Sequence, residues 1–126
     1  MAPFCKRVLV PLIFILCFLY ACTNRTTEKK LFRLVSADQS GITFENTITE
    51  TDSFNVLNFE YIYNGAGVGV ADVNNDSLLD IYFGGNMVSS RLYLNRGNFL
   101  FEEVTDEAKV ATYDWCTGIA MVDINQ

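Results

Sequence analysis

Four short apolar or alternating runs, each closed by a turn signal, follow one another through the middle of the chain: Val68 to Val73, Leu79 to Phe83, Arg91 to Asn95 and Phe99 to Val104. They are rich in β-branched and aromatic residues and too short for helices, so they read as strands. Arg96-Gly97-Asn98 separates the last two and predicts a hairpin, with glycine supplying the positive φ of the tight connection. Thr105-Asp106-Glu107-Ala108-Lys109 offers an N-cap at Thr105 and a single helical turn. Upstream, Phe32 to Asn46 contains the alternating Ile42-Thr43-Phe44-Glu45 and is expected to be strand. Thr47 to Phe59 reads as a loop, leading into the aromatic Phe59-Glu60-Tyr61-Ile62-Tyr63.

A second copy of part of this pattern sets the architecture. Gly67-Val68-Gly69-Val70-Ala71-Asp72-Val73-Asn74 aligns with Gly118-Ile119-Ala120-Met121-Val122-Asp123-Ile124-Asn125 at an offset of 51 residues. The first Gly, the Asp and the Asn are identical, and the remaining changes are conservative. A period of about 50 residues with several short strands per unit belongs to the propeller class, in which each unit is a blade unable to bury its faces alone. The expected fold is therefore all-β: one four-stranded antiparallel blade at about residues 59–105, and a second repeat beginning at about residue 115. The sequence stops at Gln126, one residue before the second loop would supply a position-5 side chain, and is expected to be the front of a longer propeller.

Between the first two strands lies Asp72-Val73-Asn74-Asn75-Asp76-Ser77-Leu78-Leu79-Asp80, with oxygen-bearing side chains at loop positions 1, 3, 5 and 9. A hard divalent ion takes about six to eight oxygens at roughly 2.3–2.6 Å, and alternate residues of a tightly wound loop can turn carboxylates and amides inward while a backbone carbonyl, here that of Leu78, fills a gap. An EF-hand is excluded, because position 12 is Phe83 rather than a bidentate Glu and the flanks read as strands. The same composition also suits a turn whose Asp, Asn and Ser side chains cap their own backbone.

The two ends of the chain differ in chemistry. Lys6 and Arg7 precede an apolar run, Val8 to Tyr20, that is short for a membrane span of about 20 residues and ends in Leu19-Tyr20-Ala21-Cys22. This reads as a signal peptide over residues 1–21, cut before a lipidated Cys22, with a polar tether over 22–33 and the repeat region over 34–126. Cys5 and Cys17 would leave with the signal, so Cys116 is the remaining thiol, expected as a small buried hydrophobe on the opening strand of the second repeat. The chain has no histidine to activate it. From Leu34 onward three basic residues face fourteen acidic ones, a balance that repels phosphate backbones and disfavours nucleic-acid binding. The aromatics Phe59, Tyr61 and Tyr63 suit either packing between blades or a sugar-stacking platform.

Taken together, Gly67 through Phe83, then Leu92-Tyr93-Leu94-Asn95-Arg96-Gly97-Asn98 and Phe101-Glu102-Glu103-Val104-Thr105, resemble an FG-GAP or VCBS-type repeat, most closely that of bacterial lipoproteins similar to cartilage acidic protein. The resemblance spans Phe32 to Gln126. It implies a β-propeller like the head of an integrin α subunit, with Ca2+ held at the blade periphery by residues matching Asp72, Asn74, Asp76, the Leu78 carbonyl and Asp80. Asp123 and Asn125 would open an incomplete second metal loop. Two positions depart from the family pattern: Ser77 stands where glycine is preferred, and Gly84-Gly85-Asn86 replaces Gly-Ala-Pro. The function implied is a non-enzymatic, calcium-binding module on a protein anchored by lipid to the cell envelope, at the outer membrane, serving adhesion or capture of a glycan or protein. The competing expectation is the N-terminal scaffold of an envelope enzyme or polymer-uptake component with its active site beyond Gln126, since no separate carboxylate pair can be assigned here by spacing.

Overall fold

A computed structural model describes residues 30–124. The expected signal peptide, Cys22, the first part of the tether and Asn125 lie outside the described residues. The chain divides into two compact units, Met1–Arg33 and Leu34–Gln126, and every assigned element among the described residues falls in the second. No helix among them is long and apolar enough to cross a membrane.

The second unit is built on one antiparallel meander: β1 (Val68–Ala71), β2 (Asp80–Phe83), β3 (Arg91–Asn95) and β4 (Phe101–Glu103), in the spatial order β1-β2-β3-β4. This is the four-stranded blade the alternating pattern predicts, with strand ends trimmed by one or two residues where loop side chains capture the backbone. Val68 lies opposite Phe83, Val70 opposite Ile81, Ile81 opposite Tyr93, and Tyr93 opposite Glu103. Side chains directly opposite one another share a face, so these residues line one side of the sheet, while Gly69, Tyr82 and Leu92 line the other. The hairpin between β3 and β4 is tight. Gly97, Asn98 and Phe99 have φ of 83°, 53° and 61°, the Arg96 amide donates to the Leu100 carbonyl at 2.7 Å, and the Asn95 side chain accepts from the Gly97 amide at 2.9 Å.

On the first face Phe44 stacks on Phe83 with ring centroids 5.1 Å apart, and Phe83 meets Tyr93 edge-on at 5.7 Å. On the second face, residues of the next repeat lie over the glycines of β1. The core itself is thin: Ile62, Leu92, Tyr93 and Val104 are its buried apolar side chains, against buried polar Ser40, Asp80, Asn86, Ser89, Ser90 and Thr105. With so little apolar surface withdrawn from water, satisfied polar contacts must carry much of the order. Ser90 bonds the Thr112 hydroxyl at 2.9 Å and accepts from the Gly85 amide, and the Tyr82 hydroxyl donates to the Val110 carbonyl at 2.6 Å. Asn46 and Asn86 exchange bonds, the Asn46 amide donating to Asn86 Oδ1 at 2.6 Å and the Asn86 backbone donating to Asn46 Oδ1 at 3.0 Å. Asn86 Nδ2 continues to the Cys116 carbonyl at 2.7 Å, so one buried amide joins the segment before the sheet to the start of the second repeat.

Three expectations are corrected. Phe32 to Asn46 is not a strand: it contains a one-turn helix, α1 (Ala37–Ser40), capped by the Ser36 side chain and closed by Gly41 at φ 75°, and Ile42–Asn46 pairs with no strand. The turn after β4 is present as α2 (Thr105–Ala108), but its N-cap is Val104, without a side-chain cap bond. The Thr105 hydroxyl instead accepts from the Leu92 amide at 2.9 Å, satisfying a β3 donor next to the end of the β4 ladder. Cys116 is half-buried, and its segment is irregular rather than strand. Its amide reaches the Gly85 carbonyl at 3.1 Å.

Candidate metal-binding loop

The loop joining β1 to β2 folds by spending its own side-chain oxygens on its own amides. Asp72 Oδ1 accepts from the Asp76 amide at 3.1 Å and Asp72 Oδ2 from the Ser77 amide at 2.8 Å. Asn74 Oδ1 accepts from the same Asp76 amide at 3.0 Å, so oxygens from loop positions 1 and 3 meet at one backbone nitrogen. Asp76 Oδ1 accepts from Leu78 at 2.8 Å, and its other oxygen takes the Asn74 side-chain amide at 2.9 Å. The winding is sharp enough to put Asn75 at φ 60° and Ser77 at φ 68°. Asn tolerates this left-handed region through its short polar side chain. Ser does so only at a cost of about 1 kcal/mol against glycine. Ser77→Gly should therefore raise stability by roughly 1 kcal/mol, less the entropy glycine adds to the unfolded chain, read as a higher urea midpoint with unchanged slope. A lower midpoint would mean that the Ser77 side chain holds the turn.

Asp80 behaves differently from the other three. It is 0% exposed, and its carboxylate closes the loop by accepting from the Val73 amide at 2.9 Å through Oδ2 and from the Asn95 amide at 2.8 Å through Oδ1. Asn95 returns a side-chain bond to the Leu79 carbonyl at 3.0 Å. Loop position 9 is thus the pin that fastens both ends of the loop to β3. Sequence reasoning missed Asn95 as a member of this constellation; the Leu-Tyr-Leu-Asn-x-Gly hairpin contains it, but only the β2–β3 register places it beside Asp80.

The donor set suits a hard cation: Asp72, Asn74, Asp76, the Leu78 carbonyl and Asp80 are all oxygen ligands. A carboxylate has about four lone-pair positions, and the amide contacts above leave some of these on each acid. Among the described residues no three His, Cys, Asp or Glu side chains already form a group that could hold a metal, because each acid is turned onto its own amides. The corresponding Asp123 lies across an open cleft of about 630 Å³, whose walls include Asp72, Val73 and Asn75 on one side and Ala120 to Asp123 on the other.

The aromatic expectation is met with different partners. Phe59 and Tyr61 pack edge-on at 6.1 Å, but Tyr63 joins none of the ring contacts. Phe54 and Trp115 do, Trp115 standing edge-on to Phe59 at 5.2 Å and to Phe54 at 5.5 Å. The rings pack on one another, and a cleft of about 420 Å³ beside them is lined by Phe59, Tyr61, Trp115, Asn64 and Thr117.

No curated protein and no solved structure matches the chain. Residues 72–126 match the family model described as the FG-GAP-like repeat; the match opens on the first acid of the loop, runs through β2, β3 and β4, and enters the second copy of the pattern. The chain therefore carries an FG-GAP-like repeat, folded as a four-stranded antiparallel blade with the acidic loop between its first two strands.

Proposed function

We propose that this chain is a calcium-binding, non-enzymatic propeller module of a lipid-anchored cell-envelope protein, at the outer membrane, that serves adhesion or captures a glycan or protein ligand. The observation carrying this reading is the loop: within an FG-GAP-like repeat, Asp72 and Asn74 deliver side-chain oxygens to one backbone amide, and left-handed residues at Asn75 and Ser77 wind the chain around them. Asp72, Asn74, Asp76, the Leu78 carbonyl and Asp80 would hold the ion, which would neutralise part of the acidic excess and brace the rim of the blade. The acids of the loop are committed to this frame, which supports a binding rather than a catalytic role.

Asp76→Ala should abolish one calcium equivalent per chain in titration calorimetry, or weaken that site at least about tenfold, since the number of charged ligands sets affinity. Its melting temperature should fall relative to the unsubstituted chain only when calcium is present, because binding stabilises the folded state by mass action. Unchanged stoichiometry and affinity would refute the loop as the site. Anchoring is tested separately. Cys22→Ser should lose incorporation of a fatty-acid analogue and shift the protein out of the membrane fraction, each buried CH₂ contributing about 0.8 kcal/mol to anchoring. Equal label on both chains would remove the lipid anchor from the reading.

A further inference from the structure

The repeat offset links a contact made inside this chain to a surface left open on it. Ile119 and Met121 of the second repeat sit on the glycine face of β1: a Cβ added to Gly69 would lie 2.6 Å from Ile119 Cγ2 and 2.9 Å from Met121 Sδ, and one added to Gly67 would strike the Gly118–Ile119 backbone. Large apolar side chains from one repeat thus fill the space left by a Gly-x-Gly in the repeat before it. The counterparts of Ile119 and Met121 in the first repeat, at the offset of 51, are Val68 and Val70. They lie on the opposite face of β1 from Gly69, 56% and 52% exposed. Beside Val70 that face continues as an apolar recess of about 570 Å³ lined by Leu79, Ile81, Phe99 and Phe101, beyond the part that Phe44 covers. The counterparts of Gly67 and Gly69 in the second repeat are Gly118 and Ala120. Both are exposed, and a Cβ on Gly118 would meet nothing within 4 Å.

The chain therefore carries both halves of a contact it already makes once. We infer that two copies associate head to tail, Val68 and Val70 of one docking on the Gly118 and Ala120 face of the next, as Ile119 and Met121 dock on Gly67 and Gly69 within each copy. The occupant is a second copy because the open valine face and the open small-residue face are related by the same offset as the pair already in contact. Such an interface is heterologous: it repeats without a two-fold axis and either closes into a ring or extends. Both copies are strongly acidic, so association should strengthen with ionic strength as their repulsion is screened.

Pairwise cysteines test this on the full chain in the cell envelope, in a Cys116→Ser background treated with a mild oxidant. Val70 should face Ala120 of the next copy, because Met121 faces Gly69 within one copy. Val70→Cys together with Ala120→Cys in one chain should give a ladder of disulfide-linked species on a non-reducing gel. Each single variant should give no cross-link, and the two single variants coexpressed should give dimers and nothing larger. Dimers from either single variant would overturn the head-to-tail geometry in favour of a two-fold one. Absence of cross-links from the double variant, with both cysteines shown accessible to maleimide, would overturn the association itself. The readout is independent of calcium and lipid, so failure of either earlier reading leaves it interpretable.

Discussion

Replacing Asp80 by alanine should remove more stability than any other single change in the acidic loop, on the order of 3 kcal/mol or more. The side chain is fully buried and accepts from two backbone amides, those of Val73 and Asn95. Alanine would strand both donors in a site that water does not reach, and each unsatisfied buried donor costs about 1–3 kcal/mol. Small domains have total stabilities of about 5–15 kcal/mol, and a unit whose core rests on four buried apolar side chains belongs at the low end, so the alanine variant should lose most of its cooperative transition. Asp80→Asn keeps one acceptor oxygen and should fall between the two. Urea denaturation followed through the single tryptophan, Trp115, which is packed against Phe54 and Phe59, gives the readout; a stabilising osmolyte keeps the weakest variants measurable. The experiment is run in chelator, where loss of a metal ligand has no consequence. There Asp80→Ala should still be severe, and Asp76→Ala should lose only its exposed turn contacts. Equal effects of the two in chelator would refute the distinction between the pin at position 9 and the exposed acids at positions 1 to 5.

The sheet was legible in the sequence because its signals are local. Alternation over four or five residues, a glycine at the β3–β4 turn and an acidic loop between β1 and β2 each specify their structure within a few positions, and the observed strands fall inside the expected runs. Where the reading of Phe32 to Asn46 as strand failed, a local signal was also present and outweighed the alternation: Ser36 followed three residues later by Gln39 matches a capping box, and Gly41 supplies the left-handed closing residue. The alternating Ile42-Thr43-Phe44-Glu45 still places Phe44 on Phe83, but forms no strand, because a strand requires a ladder partner and none is offered there. The same reason leaves Gly118 to Val122 without strand assignment despite its likeness to β1. What lies furthest from the local pattern was least readable. Trp115 meets Phe54, Asn46 meets Asn86, and Asn95 meets Asp80 only because the meander and the return of the second repeat bring together positions separated by tens of residues.

The glycines of β1 carry the second large expected effect. At Gly67 an added Cβ would strike the backbone nitrogen of Ile119 and lie 2.8 Å from the Gly118 Cα. A backbone cannot step aside as the end of a flexible side chain can, so Gly67→Ala should displace the second repeat from the sheet. At Gly69 the obstacles are side-chain atoms of Ile119 and Met121; methionine has three rotatable bonds and adapts to irregular space, so Gly69→Ala should be milder. Overpacking of this kind costs about 1–3 kcal/mol, and Gly67→Ala should reach the top of that range. Gly118→Ala is the control: the residue has open space around its Cα and no positive φ, so it should leave the fold unchanged within a few tenths of a kcal/mol. Because the Cys116 thiol packs against Gly84 at the start of the displaced segment, its rate of modification by a thiol reagent reports the detachment. The rate should rise for Gly67→Ala, rise less for Gly69→Ala and stay constant for Gly118→Ala. A Gly67→Ala chain with unchanged Cys116 reactivity and unchanged urea midpoint would mean that the second repeat does not rest on β1, and the contact from which the association of copies is inferred would fall with it.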